Sequence, residues 1–328
     1  MKLKVGVIGA GHLGKLHIKM FKSIENVELV GLFDINVEMA EKASSEYDVK
    51  CFTSVEELLT LVDAVSIVST TSAHYMVVKA ALLAGKHVFV EKPITTTIAE
   101  AEEIVELAKL KNLILQVGHI ERFNPALLSL DKYNLEPKFV QSDRLAQFNP
   151  RGTDVAVVLD LMIHDIDIIL SLIKSEVKEV HASGIAVVSD TIDIANARIE
   201  FENGAVANVT ASRISQKRMR KMRMFQKDAY ITLDFNSGVS EIYRLVNPEV
   251  ITSGNFISFG EMGIGDKKKM VVYEQPELLE VNALKYELQL FANCVLENKK
   301  PVVSGVDGLK ALIVAQKIIS KIEEQKIL

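Results

Sequence analysis

The sequence predicts two domains of different class: an α/β domain with a doubly wound parallel sheet over residues 1–120, then an α+β domain with a largely antiparallel open sheet over residues 121–328. Three observations predict this. Apolar strands alternate with amphipathic helices up to Val117, the pattern of a parallel sheet covered on both faces. The first strand runs into a G-x-G-x-x-G turn at Gly9, Gly11 and Gly14. Beyond Gly118 strands follow strands, with Asn203-Gly204 and Asn236-Ser237-Gly238 as hairpin punctuation.

Each element follows from its local pattern. Val5, Val7 and Ile8 make an apolar strand, and the glycines turn it sharply into a helix. The first glycine permits the turn, the second lets a pyrophosphate approach the backbone, and the third lets the helix lie close on its strand. Leu13, Leu16, Met20, Phe21 and Ile24 recur at helical spacing, and residues 27–33 form a second apolar run ending at Asp34. Asp34 lies 20 residues past Gly14, where a carboxylate can accept hydrogen bonds from an adenosine ribose. No Arg or Lys follows before Lys42, so nothing nearby welcomes a 2'-phosphate. The pattern implies a Rossmann-type dinucleotide site that prefers NAD to NADP.

A helix over 37–47, a short strand over 49–52 and a helix opened by Thr53 with Glu56 come next. A strand over 64–68 ends in the polar loop Ser69, Thr70, Thr71, Ser72, and a helix over 73–84 stops at Gly85. A strand over 87–90 leads to Glu91-Lys92-Pro93, Thr97 with Glu100 caps a helix running to Lys111, and a strand over 113–117 completes the set. Ligands in such sheets sit beyond the carboxyl ends of the strands. Gly9, Gly11, His12, Leu13, Gly14, Asp34, Ser69, Thr70, Thr71, His74, Glu91 and Lys92 are therefore the candidate cofactor residues.

In the second domain a helix over 125–133 and a strand over 139–147 lead to a long helix over 155–173. Strands are expected over 177–188, 192–201, 205–214, 222–225, 229–235 and 239–245, a loop over 248–269, and closing helices over 278–297 and 306–324.

Bulk properties narrow the function class. The chain has 328 residues, 48% hydrophobic and 25% charged, and its net charge of −5 gives no attraction to nucleic acid or an anionic membrane. Cys51 and Cys294 show no metal-ligand spacing and read as reduced thiols, which together with an apolar stretch within residues 1–8 that is too short for a signal peptide points to the cytoplasm. No run is apolar enough for a membrane span. An open, partly apolar sheet face would be a liability if bare, so a homodimer or homotetramer through it is expected.

Two constellations carry chemistry. Lys92 stands at a strand's carboxyl end, biased toward extended backbone by Pro93; the bland alternative is a solvated surface lysine. Asp160, His164 and Asp167, at i, i+4 and i+7, form a polar stripe on an otherwise apolar helix. That stripe faces either a site or a buried partner. A metal site from His164, Asp165 and Asp167 is disfavoured because Asp165 points away from the others. Arg213, Lys217, Arg218, Arg220, Lys221 and Arg223 form a cationic run, read either as a charged strand edge or as an anion site.

With these residues in place, the chain resembles, over its whole length, the Gfo/Idh/MocA family of NAD(P)-dependent oxidoreductases. The resemblance rests on the glycine loop, Asp34, Glu91-Lys92-Pro93, Arg122-Phe123-Asn124-Pro125 and the Asp160 to His164 spacing. It implies that Lys92 and His164 flank a substrate carbon beside the nicotinamide, with Asp160 holding the substrate. A secondary alcohol of a sugar would lose its proton to His164 or Lys92. One departure is that Val157, Val158 and Leu159 stand where many relatives have small residues. Arg151-Gly152-Thr153-Asp154 before the Asp160 helix is similar to the branch of the family that oxidises the 3-hydroxyl of UDP-N-acetylglucosamine. Arg122 and Arg151 are then candidate substrate residues. Inositol or another free polyol is the alternative substrate, and a non-catalytic NAD-binding redox sensor the alternative of another class.

Overall fold

The computed structural model describes residues 2–149, 155–247 and 257–325. Its first sheet has five parallel strands in the order β2-β1-β3-β4-β5: β1 (Leu3–Ile8), β2 (Val27–Phe33), β3 (Ala64–Ile67), β4 (His87–Glu91) and β5 (Leu115–Gly118). Between them run α1 (His12–Lys22), α2 (Val37–Tyr47), α3 (Val55–Leu61), α4 (Thr71–Leu83) and α5 (Ile98–Leu110). The strand order reverses between β1 and β3, the point where such sheets open a crevice beyond their carboxyl ends. The strand expected over 49–52 contributes one bridge, Leu32 to Cys51. The cap expected at Thr53 falls at Ser54, whose side chain accepts from Glu57 N–H.

The buried face of α1 is Gly14, His17, Ile18 and Phe21, and Leu13 is 48% exposed, so the expected apolar stripe is rotated. The glycine sets the phase. A Cβ on Gly14 would lie 2.0 Å from the Gly9 carbonyl oxygen, so this position must turn toward the strand, and residues three, four and seven further on turn with it.

Residues 121–281 and 314–328 make a second compact unit around a nine-stranded sheet. α6 (Pro125–Leu128) is a single turn rather than the helix expected over 125–133. β6 (Phe139–Leu145) follows, and where one helix was expected over 155–173 the chain makes a π-helical turn, Val158–Met162, and then α7 (Ile163–Leu172). The remaining strands are β7 (Val177–Ile185), β8 (Ile194–Phe201), β9 (Val206–Ser212), β10 (Met219–Phe225), β11 (Ala229–Asp234), β12 (Val239–Val246), β13 (Ile257–Met262) and β14 (Lys269–Glu274). They are ordered β13-β14-β12-β11-β10-β6-β9-β8-β7, antiparallel throughout except for β6 with β9. β13 and β14 lie within the expected 248–269 loop and just past it; the stretch 248–256 falls outside the described residues.

Alternation along β8 and β9 buries one face, on which α7 packs against β6 and β9. The other face carries an aromatic ladder. Phe139, Phe225, Tyr230, Tyr243 and Tyr273 stand in succession with centroids 5.8, 4.7, 5.7 and 5.1 Å apart, and Phe259 packs on the last two. Such cross-strand aromatic pairs are a unit of sheet stabilisation.

The chain then returns to where it began. α8 (Ala283–Glu297) and the first part of α9 (Gly305–Gln325) group with residues 1–120, so a single cut at 120/121 does not describe the units. Leu288, Phe291 and Ala292 of α8 share one core with Val5, Val7, Phe21 and Phe89. No described helix is long and apolar enough to cross a membrane.

Candidate active site

In the first unit the carboxyl end of β1 forms a cradle. Gly9 sits at φ +110°, and a Cβ there would lie 2.5 Å from the Val68 carbonyl oxygen. Gly11 differs: a Cβ would meet only the Met39 terminal methyl, at 4.0 Å, so the space beside it is open. Gly11 is also the N-cap of α1, which has no side-chain cap and no acidic residue in its first turn. His12 and Leu13, both exposed, occupy that turn. An open backbone approach to an uncapped helix N-terminus suits the pyrophosphate of a dinucleotide. Asp34 holds the cradle in shape. One carboxylate oxygen accepts from Ala10 N–H at 2.6 Å and the other from Asn36 N–H at 2.8 Å.

The loops after β3 and β4 complete this side. Thr70 is the N-cap of α4, with its hydroxyl 3.2 Å from that of Ser72; Ser69 and Thr71 flank it, partly exposed. His74, expected among the cofactor residues, is only 1% exposed. Its ring nitrogens lie 2.9 Å from the Pro93 carbonyl and 3.2 Å from that of Ser69, so it ties the two loops together from behind. Burial pushes its imidazole below the ordinary histidine value, against those carbonyl contacts.

Glu91, next to Lys92 in the chain, belongs to a group that sequence reasoning missed. His17 of α1 is fully buried, with Nδ1 2.9 Å from the Ser66 hydroxyl and Nε2 3.0 Å from the Glu91 carboxylate, and its ring meets Phe89 edge-on at 5.5 Å. Gly118 makes room, since a Cβ there would lie 2.9 Å from the Glu91 carboxyl. Burial would push that carboxyl up, but the hydrogen bond and charge of His17, with Lys92, outweigh it and hold Glu91 below the ordinary carboxylate value. The one available signal was a histidine three residues past Gly14, on the helix face the glycine forces inward.

In the second unit, two arginines anchor the segment that bears Asp160 and His164. Arg144 of β6 grips Asp165 with Nε and Nη2, both at 2.9 Å, and donates Nη1 to Glu121 at 2.8 Å. Arg122 grips Asp167 with Nε at 2.6 Å and Nη2 at 2.9 Å. These are bidentate pairs of the strong kind. The expected stripe therefore divides: Asp167 is buried in its ion pair, while Asp160 and His164 are half-buried. Arg122 is committed to Asp167, its side chain 12% exposed. Burial opposes the charge on Arg144, but Asp165 and Glu121 overcome it and raise its pKa above the usual guanidinium value. Arg151 lies outside the described residues.

Asp160 also lines a cavity of about 350 Å³ beyond the ends of β6 and β9, together with Arg213, Arg218 and Arg220. A carboxylate and three guanidiniums around one cavity suit a ligand with both hydroxyls and negative charge.

Comparison with known proteins shows the family and the fold. A family model described as "Oxidoreductase family, NAD-binding Rossmann fold" matches residues 3–119, and one for the "GFO/IDH/MocA C-terminal domain" matches 133–238. The chain is 36% identical over 322 residues, 98% of its length and 97% of the relative's, to UDP-N-acetylglucosamine 3-dehydrogenase of Acidithiobacillus ferrooxidans. It is 27% identical to myo-inositol 2-dehydrogenase of Thermotoga maritima, over 99% of this chain and 97% of that one. A solved structure of the Acidithiobacillus ferrooxidans enzyme superposes with a TM-score of 0.87 at 35% identity, covering 99% of each chain. The glycine cradle with Asp34 beside it, the Glu91-Lys92-Pro93 triplet and the matched C-terminal domain together make this chain a member of the Gfo/Idh/MocA family of NAD-dependent oxidoreductases.

Proposed function

We propose that the chain oxidises a secondary alcohol of a nucleotide sugar with NAD, the 3-hydroxyl of UDP-N-acetylglucosamine or a close analogue being the substrate that fits best. The observation that carries this reading is the Asp160 cavity: its exposed Arg218 and Arg220 suit a phosphorylated sugar better than a neutral polyol. Near end-to-end similarity to a dehydrogenase of that name supports it.

The cofactor, when bound, supplies the hydride acceptor. The chain's residues do the rest. Gly9, Gly11, Gly14 and the first turn of α1 take the pyrophosphate, Asp34 takes the ribose hydroxyls, and Ser69, Thr70, Thr71 and Glu91 border the crevice. NAD is preferred to NADP because a 2'-phosphate would meet Asp34, Glu38 and Glu41 before any cation. Asp160 orients the sugar, and Lys92 or His164 takes the hydroxyl proton. Arg122, through Asp167, steadies the segment that bears them.

Two further parts of the proposal concern the whole molecule. The aromatic ladder, with Phe225 at 42% and Phe259 at 62% exposure, is the face through which the chain forms a homodimer or homotetramer. Two free cysteines are in keeping with the cytoplasm. The test of function is reduction of NAD by purified protein against a panel of nucleotide sugars and free polyols. Turnover of inositol with silence on UDP-N-acetylglucosamine would refute the nucleotide-sugar reading, and silence on every member would favour a redox sensor.

A further inference from the structure

Four charged side chains line the Asp160 cavity among the described residues, and they are not equivalent. Arg213 is 4% exposed, with Nη2 donating to the Val155 carbonyl at 2.5 Å and Nε 3.8 Å from Asp193. It is part of the wall. Arg220 is 48% exposed at its side chain, and its one ion pair among the described residues, Nη1 to Glu121 at 3.4 Å, is long. Glu121 already accepts from Arg144 at 2.8 Å through the same oxygen and from Asn124 at 3.1 Å through the other, so its hold on Arg220 is easily given up. Arg218 is exposed and enters no ion pair among the described residues. Among the described residues the cavity thus faces one uncompensated guanidinium and one weakly compensated one, against the single carboxylate of Asp160.

The loop that carries Arg218 is also fastened in place. Ala146 N–H donates to the Ser212 carbonyl at 2.7 Å, Ser215 N–H donates to the Ala146 carbonyl at 3.0 Å, and the Gln147 amide donates to the Gln216 carbonyl at 2.9 Å. Arg220 stands on β10 directly opposite Arg144 of β6. Two like charges side by side repel, and the shared Glu121 relieves this only in part. An arriving anion with charge on two groups would complete the neutralisation without uncovering Arg144, which keeps Asp165.

We propose that Arg218 and Arg220 clamp the two phosphates of a nucleoside diphosphate, with Arg220 exchanging Glu121 for a phosphate oxygen and Asp160 on the sugar side of the same cavity. This rests on the nucleotide-sugar reading above. Guanidiniums favour this ligand because their planar forks match phosphate oxygens in pairs.

The experiment compares wild type with R218Q and R220Q, both exposed positions, using NAD reduction by UDP-N-acetylglucosamine and competition by UDP and UMP. Each variant should raise KM and the UDP inhibition constant about tenfold or more, leaving kcat within about threefold and KM for NAD unchanged. In wild type, UDP should compete better than UMP, and added salt should weaken UDP more in wild type than in either variant. Wild-type KM in both variants, or equal competition by UDP and UMP, overturns the clamp while leaving the nucleotide-sugar reading intact. A wild-type enzyme that ignores both UDP and the UDP-sugar but oxidises a free polyol overturns clamp and reading together.

Discussion

Replacing His17 by leucine should cost the protein roughly 4 kcal/mol, and the structure says why. The imidazole is fully buried and serves two partners on different strands, the Ser66 hydroxyl at 2.9 Å and the Glu91 carboxylate at 3.0 Å. Removing one member of a buried pair leaves the other stranded, at about 3–5 kcal/mol. The Glu91 side chain is 13% exposed, so water can reach it and the lower end applies. The orphaned Ser66 adds about 1 kcal/mol, while the leucine fills most of the ring's volume and limits any cavity. A loss of this size lowers the melting temperature by roughly 10 °C in a unit of this length.

The assay is a double-mutant cycle of His17→Leu, Glu91→Leu and both, followed by urea and thermal unfolding. Removing both partners should restore at least half of the single-variant loss, because an apolar replacement of a whole buried pair is close to neutral. The pH dependence must move as well. Glu91 has a lowered pKa in the fold, so its contribution is present above the ordinary carboxylate range and lost as pH falls through the lowered value. That acid-side loss should vanish in His17→Leu. Costs that simply add, within about 0.5 kcal/mol, would show that the two residues do not act as a pair.

Other outcomes follow from single features. Lys92→Ala and His164→Ala should each cut turnover by about a hundredfold or more while NAD still binds, as read by steady-state kinetics and cofactor titration; normal turnover in both would remove their assigned roles. Gly14→Ala places a methyl 2.0 Å from the Gly9 oxygen, so NAD affinity measured by calorimetry should fall more than about tenfold. The Asp193 carboxylate accepts from Val187, Val188 and Ser189 N–H groups at 2.7, 2.7 and 3.0 Å. Burial opposes its charge, but these bonds and the Ser189 hydroxyl bring its pKa down to about 2. The stability it contributes is therefore full above the ordinary aspartate value of 3.8 and lost as pH falls toward 2, and Asp193→Asn should flatten the acid unfolding curve in that interval.

What could be read from the chain divides by distance along it. The glycine cradle and Asp34 were legible because the turn, the helix start and the second strand constrain one another within about thirty residues. The His17 group was not, because its partners lie 49 and 74 positions away and nothing local marks them. Arg122 is expected from the sequence to meet substrate, yet the fold pairs it with Asp167, 45 positions on, a partner that nothing local marks. The π turn at Val158–Met162 has no compositional signature, so a regular helix was the natural expectation and the shared face of Asp160, His164 and Asp167 was drawn too simply. β13 and β14 were hidden by Gly260, Gly263 and Gly265, which read as loop but sit within or between the two strands.

The return of α8 to the first core has a consequence for how the molecule is born. A ribosome releases Val5, Phe21 and Phe89 long before it releases Leu288 and Phe291, yet all five belong to one apolar cluster. The nucleotide-binding half therefore emerges with part of its interior bare, and it stays so until nearly the whole chain is made. A premature stop anywhere before α8 would yield a product with an exposed greasy cleft, a client for chaperones and proteases rather than a free-standing NAD-binding module.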